Sequence, residues 1–453
     1  MQLKANIVGL FFIFVFTACG IVDSDDNYNQ KGDKVYVALQ GLDQVGIVNI
    51  NSEEIDVIDI NYATISCMDY ESEMDCNMAS DCHWIDMGTM SHCMDEEDNC
   101  TGLNESQCDI NGCEWMMNMC MESGGIMDMG NQTPHFIVID EINKYWFVTN
   151  ITSGLVGRYD LETNTFIDKI FVGDSPALMA LNNSGHKLYI SRMMPMGSMM
   201  TGSISTVIQE IDYSDRSKME LSNEFSIDSP APHGLAINSI GTEVYVASNT
   251  ADWLWKIIPS TEEVEGKIMD ASIGNSPDIV TQRLKPIQIT SVDDSLLLVS
   301  CSGGIWINPY TQEQDTLPGL VQLWNSNTLT LLDTIQFNWE STPWHIAKST
   351  LDRKVYVVLG GDILFSSNMG VATAGVACLT FEANKLNIKW KTLSESFETL
   401  HGIGVSSDGE KIYVSGRKDG NLHVFNSGNG ELEKSIPLGN NPLAGGLQVY
   451  SSP

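Results

Sequence analysis

Short runs of β-branched and aromatic residues recur along the chain at long, nearly even intervals. They are Val35-Tyr36-Val37, Trp146-Phe147-Val148, Leu188-Tyr189-Ile190, Val244-Tyr245-Val246, Leu297-Leu298-Val299, Val355-Tyr356-Val357 and Ile412-Tyr413-Val414. Runs of this kind, bounded by turn residues, read as buried strands. Their middle residues are spaced 111, 42, 56, 53, 58 and 57 apart. Setting aside an inserted Cys-rich stretch brings the first gap into line with the others. A period of roughly 40 to 60 residues with several short strands in each repeat predicts a β-propeller.

A second apolar run opens each repeat: Pro134-His135-Phe136, Pro176-Ala177-Leu178, Pro232-His233-Gly234, Pro286-Ile287-Gln288, Pro343-Trp344-His345, Leu400-His401-Gly402 and Pro442-Leu443-Ala444. Turn residues such as Ser407-Asp408-Gly409 lead from it into the Tyr-Val run. Third and fourth strands follow, as in Asn421 to Phe425 and Glu431 to Pro437. Each blade therefore has four strands, A to D, counted outward from the axis. The two ends of the chain are complementary. Residues 34–60 supply B, C and D with no A before them, and Pro442 to Tyr450 supplies an A with nothing after it. Pairing the two completes a seventh blade and removes an open sheet edge. The predicted fold is all-β: a seven-bladed propeller over 34–60 and 132–450, closed by its C-terminal strand and interrupted by a disulfide-rich insertion at 61–131.

The stretches SPAPHGLAINSIGTEVYVASNTADWLWKI and ETLHGIGVSSDGEKIYVSGRKDGNLHVFN resemble the YVTN-type, or YncE-like, seven-bladed propellers. The resemblance covers the whole predicted propeller and implies the fold. It says little about function, because related shapes include surface-layer repeats, lactonase-like enzymes, heme-d1-type domains and copper enzymes.

The amino terminus reads as an address. Lys4 precedes the apolar run Ile7 to Ala18, which is too short to span a bilayer and suits a signal peptide over 1–18. The sequence Phe16-Thr17-Ala18-Cys19-Gly20 resembles a bacterial lipoprotein signal, which implies cleavage and lipidation at Cys19. Phe16 stands where Leu is usual, and an ordinary signal peptide cut after Ala18 is the alternative. Gly20, with no Asp there, implies the outer membrane of a Gram-negative bacterium as destination. Residues 19–33 then read as a polar tether.

Cysteine usage agrees with export. Eight of the eleven Cys lie in the insertion as two four-Cys units: Cys67, Cys76, Cys82 and Cys93, then Cys100, Cys108, Cys113 and Cys120. In each unit a Trp follows two positions after the third Cys, Trp84 in the first and Trp115 in the second. Even counts in an exported chain read as disulfides, with the pairing open; zinc is disfavoured because no CxxC pair occurs. Cys301 and Cys378 lie in strand-like runs and are expected as buried thiols.

Charge excludes one class of partner. With 24 basic and 59 acidic side chains the net charge is −35, which repels nucleic acid and anionic headgroups. Contact with a membrane is then expected only through the lipid.

Candidate chemistry gathers on one face. The D–A and B–C connections share a face, and every long insertion falls there: 61–131, 192–202, 302–318 and 361–370. That rim is expected to be the working face. His135, His233, His345 and His401 sit at A-strand mouths around the axis. Several imidazoles there suit copper or iron, although a strand-mouth motif explains Pro-His-Gly equally well. Strict alternation predicts that His345, one position out of register, points away from the other three. Of 22 Met, 17 fall either in 64–130 or among Met193, Met194, Met196, Met199 and Met200. Thioethers are soft ligands for Cu(I), and they also make a flexible apolar pad for a protein partner or fill a small disulfide module.

Other signals are weaker. Asp95-Glu96-Glu97-Asp98-Asn99 lacks the spacing of a calcium loop. Gly303-Gly304 lacks the Lys of a phosphate loop, no Gly-x-Ser-x-Gly elbow occurs, and nothing sets Glu141 or Asp278 apart. The expected function is ligand or protein binding at the cell envelope without chemistry. The alternatives are a copper-binding or copper-dependent redox protein, and a lactonase-like hydrolase by family analogy.

Overall fold

The computed structural model describes residues 32–60, 62, 132–173, 175–193, 206–272, 274, 276–308, 311–338, 341–361 and 373–451, together with the backbone of four short strands inside 63–131. The predicted signal peptide, Cys19 and the tether up to 31 lie outside the described residues, as do Cys67, Cys76, Cys100, Cys108, Met194, Met196, Met199 and Met200. Gly32–Pro453 forms one compact unit.

Seven four-stranded antiparallel sheets are present, and in each the strands follow one another outward as A, B, C and D. The A strands are Pro134–Asp140, Pro176–Asn182, Pro232–Ile237, Pro286–Asp293, Pro343–Lys348, Leu400–Val405 and Ala444–Ser451. The last of these completes blade 1 as predicted. It pairs with Asp33–Leu39 in a register running from Asp33 opposite Ser451 to Leu39 opposite Ala444. Tyr413 Oη donates to Asp33 Oδ2 at 2.7 Å and ties blade 7 across the same seam.

The seven Tyr-Val runs form the B strands, and their middle residues, Tyr36, Phe147, Tyr189, Tyr245, Leu298, Tyr356 and Tyr413, are all at most 2% exposed. Apolar clusters between neighbouring blades use them, as where Tyr245 of blade 4 packs with Leu297, Val299 and Trp324 of blade 5. Each such ring removes on the order of 2 kcal/mol worth of apolar surface from water. The D strands carry the opposite pattern. Glu220–Ser226 and Glu263–Ile268 expose most of their residues, which suits outer edges covered by charge.

Of the predicted long connections, 192–202 and 361–370 lie almost wholly outside the described residues. Residues 302–318, between B and C of blade 5, hold a hairpin of Gly304–Ile307 and Gln314–Leu317. The insertion leaves after blade 1 and returns to blade 2, and both of its ends are held. Asn150 Nδ2 donates to Tyr62 Oη at 2.9 Å, and the Thr133 amide donates to Asp43 Oδ1 at 2.8 Å. Inside it, Cys82–Asp86 pairs with Ser91–Asp95, and Cys113–Met116 pairs with Met119–Glu122. Trp84 stands opposite Cys93 and Trp115 opposite Cys120, so the two units share one register. Cys301 and Cys378 are fully buried free thiols, and burial pushes both thiols up, Cys378 to about 11.

Candidate functional site

Every A strand carries an irregularity at the same place. Between its first residue and the buried Tyr-Val run, each A strand has one residue more than its B partner. The register shifts at Pro134/Phe136, Pro176/Met179, Pro232/Gly234, Pro286/Gln288, Pro343/Ile346, Leu400/Ile403 and, in blade 1, opposite Val37/Leu39. Seven β-bulges thus ring the axis, and a bulge re-aims side chains.

A buried hydroxyl holds the bulge in four blades. Thr149, Ser191, Ser300 and Ser415 each accept from a bulge amide of their own A strand: Phe136 N at 3.1 Å, Leu178 N at 3.1 Å, Gln288 N at 3.2 Å and Gly402 N at 2.7 Å. Each also donates to a carbonyl of the next blade: Ala177 O at 3.0 Å, His233 O at 2.7 Å, Trp344 O, and Gly445 O at 2.6 Å. Blade 4 has Ala247 at this position, so the equivalent carbonyl, Ile287 O, takes the His233 ring instead, Nδ1 to O at 2.6 Å. A carbonyl only accepts, so His233 Nδ1 carries the proton, and His233 is a stitch between blades.

The other three histidines meet at the axis. His401 lies with its ring centroid 4.7 Å from that of His345, 5.5 Å from that of His135 and 5.7 Å from the Trp344 ring. The expectation that His345 points away is therefore corrected: Trp344 and His345 occupy the bulge, where alternation breaks down. His135, His345 and His401 are 5%, 2% and 3% exposed, and three ring nitrogens, His135 Nε2, His345 Nε2 and His401 Nδ1, have no partner. The Trp344 indole N–H is likewise buried without a partner. Burial pushes all four imidazoles down; neighbouring cationic or imidazole groups add to this at His135, His345 and His401, whereas the Ile287 carbonyl opposes it at His233, and His345 is pushed down to about 3. Small residues make the room: a Cβ on Gly445 would stand 3.0 Å from His135 O, and one on Gly402 would collide with Gly445 O.

Two residues complete this cluster that the sequence reading passed over. Gln40, in the 3-10 turn Gln40–Leu42, places Nε2 2.7 Å from His135 Nδ1. Arg417, just after strand B of blade 7, donates from Nη1 to Gln40 Oε1 at 2.5 Å. Because Gln40 Oε1 accepts from a guanidinium, its amide nitrogen is the donor to His135 Nδ1. His135 therefore carries its proton on the unpartnered Nε2. No motif marks Arg417 or Gln40; the only sequence signal is an Arg close to a B-strand end in a chain poor in basic residues.

An axial cavity of about 450 Å³ runs from His345 past Phe136, Ile346 and Ile403 to the A–B turns that bear Glu141, Thr350 and Ser407. Its mouth is on the short-turn face, opposite the face that carries the long insertions. Only the His and Arg end lies toward the elaborated face. Glu141 is exposed at the mouth, whereas Asp278 borders a separate shallow groove with Thr206, Ser226 and Asp228. Met193 is half-buried at the end of strand B of blade 3, its amide bonded to Ser175 O at 2.9 Å. Among the described residues no three His, Cys, Asp or Glu side chains are grouped to hold a metal ion.

No protein-family model and no curated protein matches this chain. Its fold, by contrast, is widespread: 1386 solved chains match, too many and too varied to point to one activity. One is a functionally unknown protein from Desulfotomaculum acetoxidans, 12% identical at TM-score 0.55, covering 92% of this chain and 98% of that one. Another belongs to Kuenenia stuttgartiensis hydrazine synthase, 13% identical at TM-score 0.53, covering 75% and 99%. A chain of the mitotic checkpoint complex is 11% identical at TM-score 0.51, covering 94% and 99%. At such identities the likeness defines the fold alone: a seven-bladed β-propeller.

Proposed function

We propose that this chain is a YVTN/YncE-like propeller that is exported, lipid-anchored at Cys19 in the cell envelope, and works by binding a ligand or protein partner. The observation that carries the binding reading is the axial cavity of about 450 Å³, which His345 lines at one end. The lipoprotein signal, the Cys spacing and the scarcity of basic residues support the address. A propeller similar to a chain of a multiprotein complex also suits protein contact, for which the Met-rich and Cys-rich insertions are the expected pad.

The test has two parts. Labelled fatty acid should enter the wild-type chain and not Cys19→Ser; equal labelling, or none, removes the anchor. Crosslinking in the native host should recover partners that a chain lacking 63–131 loses. If every partner survives that deletion, the insertion is not the docking pad.

A copper reading draws on the bare ring nitrogens of His135, His345 and His401. The guanidinium of Arg417 beside them works against a cation. Elemental mass spectrometry after copper-replete periplasmic expression decides it: stoichiometric copper, lost in His135→Gln, supports this second reading.

A further inference from the structure

We propose that the axial cavity binds a small neutral polyhydroxyl molecule, of the size of a monosaccharide or a cyclitol, with Gln288, Thr290 and Gln448 as its hydrogen-bonding side chains. The inference deepens the binding reading above and rests on it.

The first argument is room. The cavity holds about 450 Å³, within the range of about 300 to 1,000 Å³ usual for small-molecule sites. At roughly 30 Å³ per water that is the space of about fifteen waters, enough for a sugar ring with its hydroxyls and a few waters besides. It opens on the short-turn face between the turns that bear Glu141, Thr350 and Ser407, so a ligand has a way in.

The second argument is charge. Of the residues lining the cavity only Glu141 and Lys348 carry a charge, since burial holds His345 neutral at the inner end. Glu141 is exposed at the rim. Lys348 Nζ donates to Ser291 O at 2.8 Å and is attracted by Asp293 and Asp294. Below the rim the wall offers an ion no free counter-charge, and an ion taken out of water without one is costly to bind.

The third argument is donor and acceptor chemistry. Gln288 and Thr290 lie two residues apart on the A strand of blade 5, and so on one side of its pleat. The Ile346 amide donates to Gln288 Oε1 at 2.7 Å, which fixes the carboxamide and leaves Nε2 as a donor. Gln448 comes from the A strand of blade 1. All three side chains are half-buried, and among the described residues Gln288 Nε2, Thr290 Oγ1 and the Gln448 carboxamide have no protein partner. Thr and Gln side chains both donate and accept. A ligand hydroxyl does the same, so it replaces water on this wall without losing a bond. A purely apolar ligand would leave all three groups unpaired.

The fourth argument is the layout of the wall. Between blade 5 and blade 1 lie blades 6 and 7, which contribute Ile346 and Ile403, and Phe136 of blade 2 adds a ring. Two polar flanks with apolar surface between them match a sugar ring, which has hydroxyls around its edge and C–H groups on its faces.

The experiment uses the mature chain with Cys19→Ser and titration calorimetry. The probes are glucose, galactose, mannose and myo-inositol, with glucuronate as a charged counterpart and cyclohexanol as a ring with a single hydroxyl. At least one of the four polyols is expected to bind one per chain, with an affinity independent of ionic strength. Glucuronate and cyclohexanol are expected to bind about tenfold or more weaker. Thr290→Val, which keeps the shape and removes the hydroxyl, and Gln448→Leu are each expected to weaken the best polyol about fivefold or more, with the unfolding midpoint of Thr290→Val little changed. Glucuronate or cyclohexanol binding as tightly as the best polyol overturns the neutral polyhydroxyl class but leaves a binding cavity standing. Unchanged polyol affinity in both variants overturns the assigned site. Failure of every probe on the folded chain overturns the inference altogether. Crosslinked partners recovered from the native host would then leave the protein-binding reading intact, and their absence as well would remove both.

Discussion

Arg158 is fully buried and Arg417 half-buried, and the protein treats them differently. Arg158 lies between blades 2 and 3, with Nε on Asp168 at 2.6 Å and Nη1 on the carbonyls of Tyr213 and Asp215 at 3.1 and 2.8 Å. Its face stacks over Tyr145 with 5.1 Å to the ring centroid. That set of contacts closes a seam between blades. Arg417 donates to two neutral acceptors and, among the described residues, forms no ion pair. The difference separates a buried charge, which must be neutralised within the fold, from a half-buried one that solvent still reaches.

The largest effect that sharpens this contrast is removal of each Arg in turn. Arg158→Met strands a largely buried Asp168 and is expected to lower the unfolding free energy by about 3 to 5 kcal/mol in denaturant titration. Arg417→Met strands no charge, only the Gln40 Oε1 acceptor, and is expected to lower it by about 1 to 2 kcal/mol. Equal losses would break the comparison.

A smaller effect comes from the hydroxyls that hold the bulges. Ser415→Ala leaves the Gly402 amide and the Gly445 carbonyl without their partner, and is expected to cost about 1 to 3 kcal/mol. Ser191→Ala should behave alike at the His233 carbonyl.

The smallest effect is a pH slope. The folded His345 imidazole is pushed down to about 3 by burial and by His233, while the unfolded ring titrates near 6.5. Between those values the unfolded state binds a proton that the folded state refuses. Stability from this ring is therefore complete above pH 6.5 and falls as the pH drops from 6.5 toward 3. His135, His233, His401 and Arg417 lie around it, and the first three are shifted in the same direction. Equilibrium unfolding of His345→Gln should show a shallower loss over that range than the wild type. An unchanged slope would mean that His345 is not held neutral.

Part of the site was legible in the chain. Histidines at A-strand mouths stand out because those mouths follow a repeated Pro-led pattern. Alternation then misplaced His345, because it assumes an unbroken pleat and a bulge lies there. The hydroxyl that holds the bulge carried a signal that went unread: in four blades a Ser or Thr directly follows the Val or Ile of the B-strand run. Arg417 and Gln40 carried none, since they are 377 residues apart and act only through each other and His135.

By itself the sequence determined the blade count, the four-strand repeat, the closure of the last strand on the first blade and the faces on which the long connections lie. Those follow from local periodicity and turn chemistry, which are written within a few residues of one another. Only the tertiary structure decided which His is a stitch, which keep unpartnered ring nitrogens, and where the axial cavity opens. Those are properties of the axis. The axis belongs to no single blade and exists only when seven A strands, drawn from both ends of the chain, are brought within contact of each other.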